Sequence, residues 1–399
     1  MLVLTPAWAG HSLFNPKDIP FGAAVAFVVY ASVRIALRTP PLTWRDALCA
    51  AVCLGFALGV RPGGMFLVAY PVVALCVRVA SGMCWRGLSA RLAARFTAIS
   101  LGRLICLFPL SWLLMLSTWP WAQQAPFTRP FEAAAIAAHF EWPGKMRFDG
   151  GIVSFRHVPL HYLPTWFLVT LPDIYALAIV CGVIALVCSW LGRRSAEQPD
   201  IGPKAAVMML GLTILIPYAG VVVARPTLYD GHRHFLFVIP SMAALAGLAF
   251  DYFISSVKVP VAVRGAFAVA ALGLASVTFY DMWSLHPYEY VYFNRLSGGL
   301  AKQAMRFESD YWGASYREGL EWVFKNYDPG GTRKITIKTC ASDKLIGYYR
   351  KQFGAQRFVL AKSQHTAEVY LGVTKRNCHE RPGEVIHTVE RQGVPLLYI

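Results

Sequence analysis

Long apolar runs separated by short polar segments fill the first 283 residues of the chain. Ala205 to Ala224 is a run of twenty residues without a charge, and Phe235 to Phe250 adds sixteen more. A helix that crosses a hydrocarbon core of ~30 Å needs about twenty predominantly apolar residues. The pattern therefore predicts about eight transmembrane helices. Their approximate ranges are 19–37, 46–61, 63–79, 98–118, 172–191, 205–224, 235–254 and 264–281.

The second of these runs is the weakest. Ala47 to Val60 supplies only fourteen uncharged residues, and Arg61-Pro62-Gly63-Gly64 follows directly. The 46–79 hairpin is therefore either a pair of spans or a re-entrant element. Removing this hairpin leaves the side assigned to every other loop unchanged.

The pattern changes after about residue 283, where charges become common and apolar runs shorten. Helical spacing and strand-like alternation then predict a small α/β module. Its predicted helices are 316–327 and 343–353, and its predicted strands lie within 334–340, 359–360, 367–373 and 384–399. We expect a mainly α polytopic membrane protein with a transmembrane module at 1–283, including an outer loop at 119–171, and an α/β domain at 284–399.

Composition agrees with a membrane protein. Hydrophobic residues make up 56% of the chain, charged residues only 15%, and the mean hydropathy is +0.44. The net charge of +16 does not indicate nucleic-acid binding, because the basic residues end apolar runs and form no stripe on a soluble module. The sequence contains no Walker loop, HExxH, nucleophile elbow or dinucleotide fingerprint. These absences argue against a soluble cofactor enzyme and against ATP as the driving force.

The basic residues also predict an orientation. The 119–171 loop, the 225–234 segment and everything after about 282 face outward by the positive-inside rule. The 119–171 loop is rich in Trp, Phe and Pro, and is either an aromatic belt or a functional lid. The basic loops assigned to the cytoplasm are 34–45, 78–103, 193–204 and 258–264.

Most of the nine cysteines lie in or beside apolar runs, where each is expected to act as a small hydrophobic residue. Cys340 and Cys378 instead lie in the polar C-terminal part. They form a disulfide there if that part faces an oxidising compartment, and otherwise remain thiols.

Two polar groups at the predicted outer ends of helices are candidates for chemistry. Asp18 precedes Pro20 at the start of the first long run, where it is either the N-cap of a helix or a site carboxylate. As a site residue it binds a metal, orients a hydroxyl or holds a basic partner. Arg61 either extends towards the interface or contacts a lipid phosphate with its planar guanidinium.

The strongest candidate is Arg225-Pro226-Thr227-Leu228-Tyr229-Asp230-Gly231-His232-Arg233-His234, between two apolar runs. Ionisable groups at a membrane boundary are costly and usually face a polar cavity. Arg225 and Arg233 are suited to clamp a diphosphate or phosphodiester, and Asp230-Gly231 predicts a tight turn between them.

Two aromatic segments follow the last apolar run. His286 to Arg295 carries three alternating tyrosines, and Arg306 to Gly313 mixes acidic and aromatic residues. The tyrosines either pack near the membrane or bind an acceptor by stacking on its sugar rings.

These stretches resemble the polytopic lipid-linked-sugar glycosyltransferases of the GT-C class. The resemblance is to the bacterial branch, glycosyltransferase family 39, related to protein O-mannosyltransferases and aminoarabinose transferases. Asn15 to Phe21 is similar to the family's second acidic motif, and Arg225 to Pro240 is similar to its RHxLFxxP signature. His286 to Arg295, with Glu308 to Gly313, resembles the segment that enters the outer domain.

The resemblance implies transfer of a sugar from a polyprenyl-phosphate donor to a lipid, glycan or protein acceptor outside the cytoplasm, at the bacterial inner membrane. It implies no nucleic-acid partner and no certain cofactor, with a divalent metal left open. It makes Asp18 the catalytic carboxylate. We assign Arg61, Arg225, Arg233 and His234 to the donor phosphate, and Tyr229, Asp230, His286 and Tyr288 to the acceptor.

One departure from the family pattern affects the expected activity. Met1-Leu2-Val3-Leu4 stands just ahead of the second acidic motif, and no residue matches the acidic residue of the family's first outer loop. We therefore expect either a truncated and inactive product or another carboxylate as the base. The alternatives to a glycosyltransferase are a transporter of lipid-linked sugar and a non-catalytic membrane scaffold.

Overall fold

The computed structural model of the chain describes residues 1–138, 140, 142–191, 201–255, 259–327, 330, 334–340, 343–353, 357–375 and 378–399. Three of the basic residues that predict orientation, Arg193, Arg194 and Lys258, lie outside the described residues.

Most of the described chain is helical. The helices are α1 (Pro6–Ser12), α2 (Asp18–Leu37), α3 (Trp44–Val60), α4 (Ala69–Arg86), α5 (Ala90–Ser117), α6 (Pro120–Gln123), α7 (Arg129–Ala138), α8 (Tyr162–Thr170), α9 (Asp173–Leu191), α10 (Ile201–Ala224), α11 (Ile239–Ser255), α12 (Val261–Leu285), α13 (Gly299–Gln303), α14 (Tyr316–Trp322) and α15 (Asp343–Phe353). Short 3-10 turns cover Leu2–Leu4, Pro62–Val68, Arg233–Val238, Glu289–Val291, Arg295–Ser297 and Gln364–Thr366, and a π-helical turn covers Val323–Tyr327.

Six described helical segments are long and apolar enough to cross a membrane. A seventh is obtained if α8 and the first part of α9, bent by 102° relative to each other, are counted as one span. The predicted number of about eight is therefore not confirmed. The six segments are Asp18–Leu37, Gly63–Cys84, Ala90–Ser117, Gly202–Ala224, Arg233–Ser255 and Val261–Leu285.

The difference in number comes from two of the predicted spans. The 46–61 run forms α3, whose 17 residues fall short of the length of the other spans. At 1.5 Å per residue, a helix of this length extends only about 26 Å. The 172–191 run forms α9, which follows the sharp bend after α8.

Large apolar side chains on the long helices are exposed. Phe27, Ile105 and Val223 are 61%, 69% and 84% exposed, respectively. Apolar surface of this extent on many helices is unfavourable in water and typical of a lipid-facing surface.

Two compact units make up the chain. The first contains 1–141, 174–227 and 233–275. At its centre α2 packs against α3, α4 and α10, and α3 packs against α5. Close approach of α3 and α5 requires Gly55, since an added Cβ there would lie 2.8 Å from the carbonyl oxygen of Ser111.

An ion-pair network lies at the C-terminal end of α2. Arg34 Nη2 donates to Asp46 Oδ1 at 2.7 Å, and Arg38 Nε lies 3.7 Å from Asp46 Oδ2. Thr43 caps α3 by accepting the Asp46 amide at 3.2 Å. We call Asp46, Arg34 and Arg38 the Asp46 cluster.

The second unit contains 142–173, 228–232 and 276–399. Two sheets lie in it: an antiparallel pair and a five-stranded sheet of order β4-β3-β5-β7-β6. β3 is parallel to β4 and β5, whereas β7 is antiparallel to β5 and β6. The strands are β1 (Lys145–Phe148), β2 (Gly151–Ser154), β3 (Ile335–Thr339), β4 (Phe358–Leu360), β5 (Val369–Val373), β6 (Thr388–Arg391) and β7 (Val394–Tyr398).

The order of the parallel strands contains a topological switch point, where the connections leave β3 towards opposite edges of the sheet. The chain passes from β3 through α15 to β4 on one side of β3, and then returns to β5 on the other side. In open α/β sheets, ligands bind outside the carboxyl ends of the strands at such a switch point. The predicted helix at 343–353 and the predicted strands of this module are confirmed, whereas the β1–β2 hairpin was not predicted.

Candidate functional site

Asp18 begins α2 and is almost fully buried, with 2% of its surface exposed. Asp18 is the first residue of α2 and does not cap it, because the N-cap position is Lys17, which makes no side-chain capping bond. Asn15 Oδ1 accepts the Asp18 amide at 2.9 Å, and Asn15 Nδ2 donates to Asp18 Oδ2 at 3.0 Å.

Two arginines predicted at the donor phosphate meet this carboxylate. Arg61 Nη1 donates to Asp18 Oδ1 at 2.5 Å, and Arg233 Nη1 donates to Asp18 Oδ2 at 3.2 Å. The arginine side chains are only 21% and 13% exposed. We call Asp18, Arg61 and Arg233 the Asp18 cluster.

Local chain geometry brings each arginine to this place. Arg61 is extended at the end of α3, with φ −152° and ψ 125°, before the 3-10 turn that starts at Pro62. Its guanidinium lies 5.9 Å from the centroid of the Phe21 ring on α2. Phe21 in turn meets Phe237 edge-on at 5.6 Å, which fixes the turn that carries Arg233 against α2.

The cluster carries an excess positive charge. Two guanidinium groups face one carboxylate, and half-buried His234 follows Arg233 in the same 3-10 turn. Each guanidinium carries five N–H donors in a planar arrangement that matches the oxygen atoms of a carboxylate or a phosphate. The arrangement is suited to bind a phosphate while Asp18 holds the two forks in position.

Arg225 is not part of this arrangement. It is exposed, has a left-handed φ of 47°, and its Nε donates to the Val222 carbonyl of the preceding helix turn at 3.2 Å. The expected clamp of Arg225 and Arg233 is thus replaced by the pairing of Arg61 and Arg233 on Asp18.

A cavity of about 320 Å³ lies in the second unit. Two of the residues predicted at the acceptor, Tyr229 and Asp230, line it together with Lys375. Its other lining residues are Trp142, Tyr311, Trp312, Gly313, Cys340, Leu345, Val373 and Cys378. Because Cys340 directly follows β3 and Lys375 lies two residues after the end of β5, the cavity lies at the switch point of the sheet.

The walls of the cavity combine an ion pair with aromatic faces. Lys375 Nζ donates to Asp230 Oδ1 at 2.6 Å and to the Tyr311 carbonyl at 3.0 Å. Asp230 and Gly231 both have left-handed φ values, 56° and 69°, as predicted for a tight turn. Trp142 stacks on Tyr229 at 6.3 Å between ring centroids. Lys375 and Trp142 were missed, because a lone lysine and a loop tryptophan give no signal in the sequence.

The other two residues predicted at the acceptor do not line the cavity. His286 Nδ1 lies 2.7 Å from Glu289 Oε1 and is largely exposed. Tyr288 donates to Glu318 Oε2 at 2.8 Å, and Arg391 contacts the same carboxylate at 2.7 Å. Burial raises the pKa of Glu318, but the hydrogen bonds from Arg391 and Tyr288 outweigh it and hold this pKa below its usual range. The structure thus places His286 and Tyr288 in ion-pair and hydrogen-bond contacts outside the cavity lining.

His232 is buried against the rings of Trp166 and Phe167, 6.2 and 5.0 Å away. Neither ring nitrogen has a hydrogen-bond partner among the described residues. Burial lowers the pKa of His232 to about 4, so the ring is neutral at physiological pH.

Asp310, one of the two acidic residues of the 306–313 segment, holds a turn in place. Asp310 is fully buried and accepts the amides of Gly313, Ala314 and Ser315 at 2.7, 3.1 and 3.2 Å. Tyr290 also donates to this carboxylate. All of these donors are neutral or backbone groups, so Asp310 organises the turn that lines one side of the cavity.

The divalent metal left open by the sequence has no evident ligand set in the described part of the chain. No group of three or more His, Cys, Asp or Glu side chains is arranged there to hold one. Comparison of the chain with protein-family models, curated proteins and solved structures gives no match in any of the three.

Proposed function

We propose that the protein is a membrane glycosyltransferase of the GT-C class. It moves a sugar from a polyprenyl-phosphate donor to an acceptor outside the cytoplasm, in the bacterial inner membrane, with the second unit extracytoplasmic. The observation that carries the proposal is the Asp18 cluster, where two guanidinium groups converge at the N-terminal end of an apolar helix.

The charges of the cluster fit the departure of a lipid phosphate. Breaking the bond between an anomeric carbon and a phosphate oxygen leaves negative charge on that phosphate. Preorganised cations in a site with little water stabilise such charge without having to reorient. Arg61 and Arg233 supply these cations, and Asp18 keeps them in place before the donor arrives.

The position of Arg233 adds a second reason. It begins the 3-10 turn that leads into α11, where unsatisfied N–H groups and the helix dipole already favour an anion. A cation is unfavourable at this end of a helix unless an anion lies nearby. Asp18 meets this requirement in the absence of donor, and the donor phosphate meets it when bound.

We assign acceptor binding to the cavity of the second unit. Trp142 and Tyr229 offer stacked aromatic faces, and the pair of Asp230 and Lys375 offers hydrogen-bonding groups for hydroxyls. A mostly apolar cavity with a few placed polar groups is the usual form of a small-ligand site.

The test is sugar transfer from a labelled polyprenyl-phosphate donor by the protein in liposomes. Arg233→Ala is expected to reduce transfer by about a hundredfold or more, as when one stabilising donor is removed from an active site. Arg34→Ala is the matched control, because Arg34 pairs with a carboxylate in the Asp46 cluster and keeps near-normal transfer. Equal activity in the two variants contradicts a phosphate-binding role for Arg233.

A non-catalytic scaffold that binds lipid phosphate is the second candidate. The observation in its favour is that both Asp18 oxygens already accept hydrogen bonds from guanidinium groups, which is unusual for a general base. A protein that binds polyprenyl phosphate through Arg233 but gives no transfer with any acceptor supports the scaffold over the enzyme.

A further inference from the structure

We propose that Cys340 and Cys378 form a redox-active dithiol that closes to a disulfide by exchange with a low-molecular-weight disulfide. The proposal concerns the cavity of the second unit and does not rest on the assignment of that cavity to the acceptor.

The two cysteines lie at the carboxyl ends of adjacent parallel strands. Thr339 of β3 pairs with Leu371 of β5, so Cys340 lies beside Gly372. The Cys378 carbonyl approaches the same glycine, 3.0 Å from the position that a Cβ would take there. The chain therefore returns to the neighbourhood of Cys340 after 37 intervening residues, and both cysteines lie beside Gly372 and line the same cavity.

Both thiols are accessible. They line the cavity of about 320 Å³ and are half-buried. A small disulfide that enters this cavity can therefore contact both sulfur atoms, which are partly exposed. Reactive cysteines occur in partly exposed surroundings of this kind, often near a cation, and Lys375 lines the same cavity.

The surroundings also favour the thiolate of Cys340. Hydrogen bonds from Cys378 and then, against the effect of burial, from Tyr316 and neighbouring groups lower the pKa of Cys340 to about 6. The Tyr316 hydroxyl lies 3.5 Å from the sulfur. The thiolate is the nucleophile in thiol–disulfide exchange, so Cys340 attacks first and Cys378 resolves.

The exchange is balanced in two steps. The Cys340 thiolate attacks one sulfur of the small disulfide, forms a mixed disulfide and releases one small thiol. The Cys378 sulfur then loses its proton, attacks Cys340 and releases the second small thiol. Two electrons and two protons pass from the protein to the small disulfide, and a Cys340–Cys378 bond remains.

The experiment equilibrates the full chain in detergent with graded ratios of reduced to oxidised glutathione, blocks remaining thiols and digests with trypsin. The diagnostic product is a disulfide between the peptides 339–344 and 377–391, since Arg381 precedes a proline and resists cleavage. We expect this product to exceed either glutathione adduct by about tenfold or more at oxidising ratios and to disappear reversibly on reduction. Glutathione adducts on Cys340 or Cys378 without the linked peptide overturn the proposal.

A second measurement on the same protein is the pH profile of alkylation. The rate at Cys340 is expected to rise with a midpoint near pH 6. Cys378→Ala removes the leading hydrogen bond and moves the Cys340 midpoint upward. An unchanged midpoint in this variant also contradicts the dithiol.

Discussion

Near each end of α2 a carboxylate is held by two arginines, yet the two clusters differ in how they are assembled. The Asp46 cluster joins residues that are close in sequence, such as Arg34 and Asp46, 12 positions apart. The Asp18 cluster joins Asp18 to residues 43 and 215 positions away. The arginines of the Asp46 cluster are 33% and 58% exposed, whereas those of the Asp18 cluster are 21% and 13% exposed.

Helix dipoles explain one cluster and only part of the other. Arg34 and Arg38 lie at the C-terminal end of α2 and Asp46 in the first turn of α3, where each charge is favourable. Asp18 and Arg61 follow the same rule, but Arg233 does not, because it lies at the start of a helical segment. A buried cation that the fold itself does not favour is the stronger indication of a binding site.

The largest expected difference concerns removal of the carboxylates. Asp18→Asn leaves two mostly buried guanidinium groups without a counter-charge and is expected to lower the free energy of unfolding by about 3–5 kcal/mol. Asp46→Asn leaves more exposed arginines and is expected to lower it by about 1 kcal/mol. Thermal unfolding of both variants in the same detergent measures the difference, and equal losses contradict it.

Acid is expected to lower the free energy of unfolding, because His232, which directly precedes Arg233, is buried in its neutral form. The pKa of His232 is lowered to about 4 in the folded protein, against ~6.5 in the unfolded chain. The unfolded state therefore binds more protons between these values, so stability is complete above about pH 6.5 and is lost as the pH falls towards 4. The loss amounts to about 3 kcal/mol.

The measurement is denaturant unfolding at a series of pH values for the wild type and for His232→Phe. The variant is expected to lose the pH dependence between 6.5 and 4 while keeping the aromatic contacts. A wild-type stability that stays constant over this interval contradicts the burial of a neutral histidine.

Lysine substitutions test whether each cluster needs the planar guanidinium group of arginine or only its positive charge. Arg61→Lys and Arg233→Lys keep the charge but lose bidentate geometry, and each is expected to weaken binding of polyprenyl phosphate by about tenfold, or ~1.4 kcal/mol. Arg34→Lys is expected to stay within about twofold of the wild type. Titration of polyprenyl phosphate into protein in lipid nanodiscs measures the affinity of all three variants. A similar loss of affinity in Arg34→Lys contradicts the assignment of phosphate binding to the Asp18 cluster.

The smallest expected effects come from Asn15 and Thr43, whose side chains accept a backbone amide at the start of α2 and of α3. Asn15→Ala and Thr43→Ala each remove a side chain that accepts a first-turn amide, and each is expected to cost about 1 kcal/mol of stability. Only Asn15→Ala also loosens Asp18, so it alone is expected to weaken phosphate binding. Parallel unfolding and binding measurements on the two variants separate these effects.

Local patterns predicted most of the fold. Uninterrupted apolar runs gave α2, α10 and α11 to within a few residues, and alternation in the C-terminal part gave β3 and β5. The pattern marked the 46–61 run as the weakest span, and that run forms the short helix α3. It did not reveal that α8 and α9 meet at a sharp bend, because the end of a helix is the weakest signal in a sequence.

The candidate site was predicted in its residue types and only partly in its partners. Asp18, Arg61 and Arg233 were named, but their convergence depends on the packing of α2 with α3 and with the turn before α11. Arg225 has the same side chain and a similar sequence setting as Arg233, and its left-handed backbone leads it elsewhere. The pairing of Asp230 with Lys375, 145 positions away, likewise has no local signal.

The length of α2 has a consequence for the kind of membrane in which the protein works. Its 20 residues separate the two charged clusters by about 30 Å. A thinner bilayer exposes apolar surface of α2 to water, and a thicker one draws charged groups towards the acyl chains. Hydrophobic mismatch of either sign is relieved by tilting the helix or deforming the lipid. A bilayer whose hydrocarbon thickness is close to the length of α2 requires the least tilting and deformation.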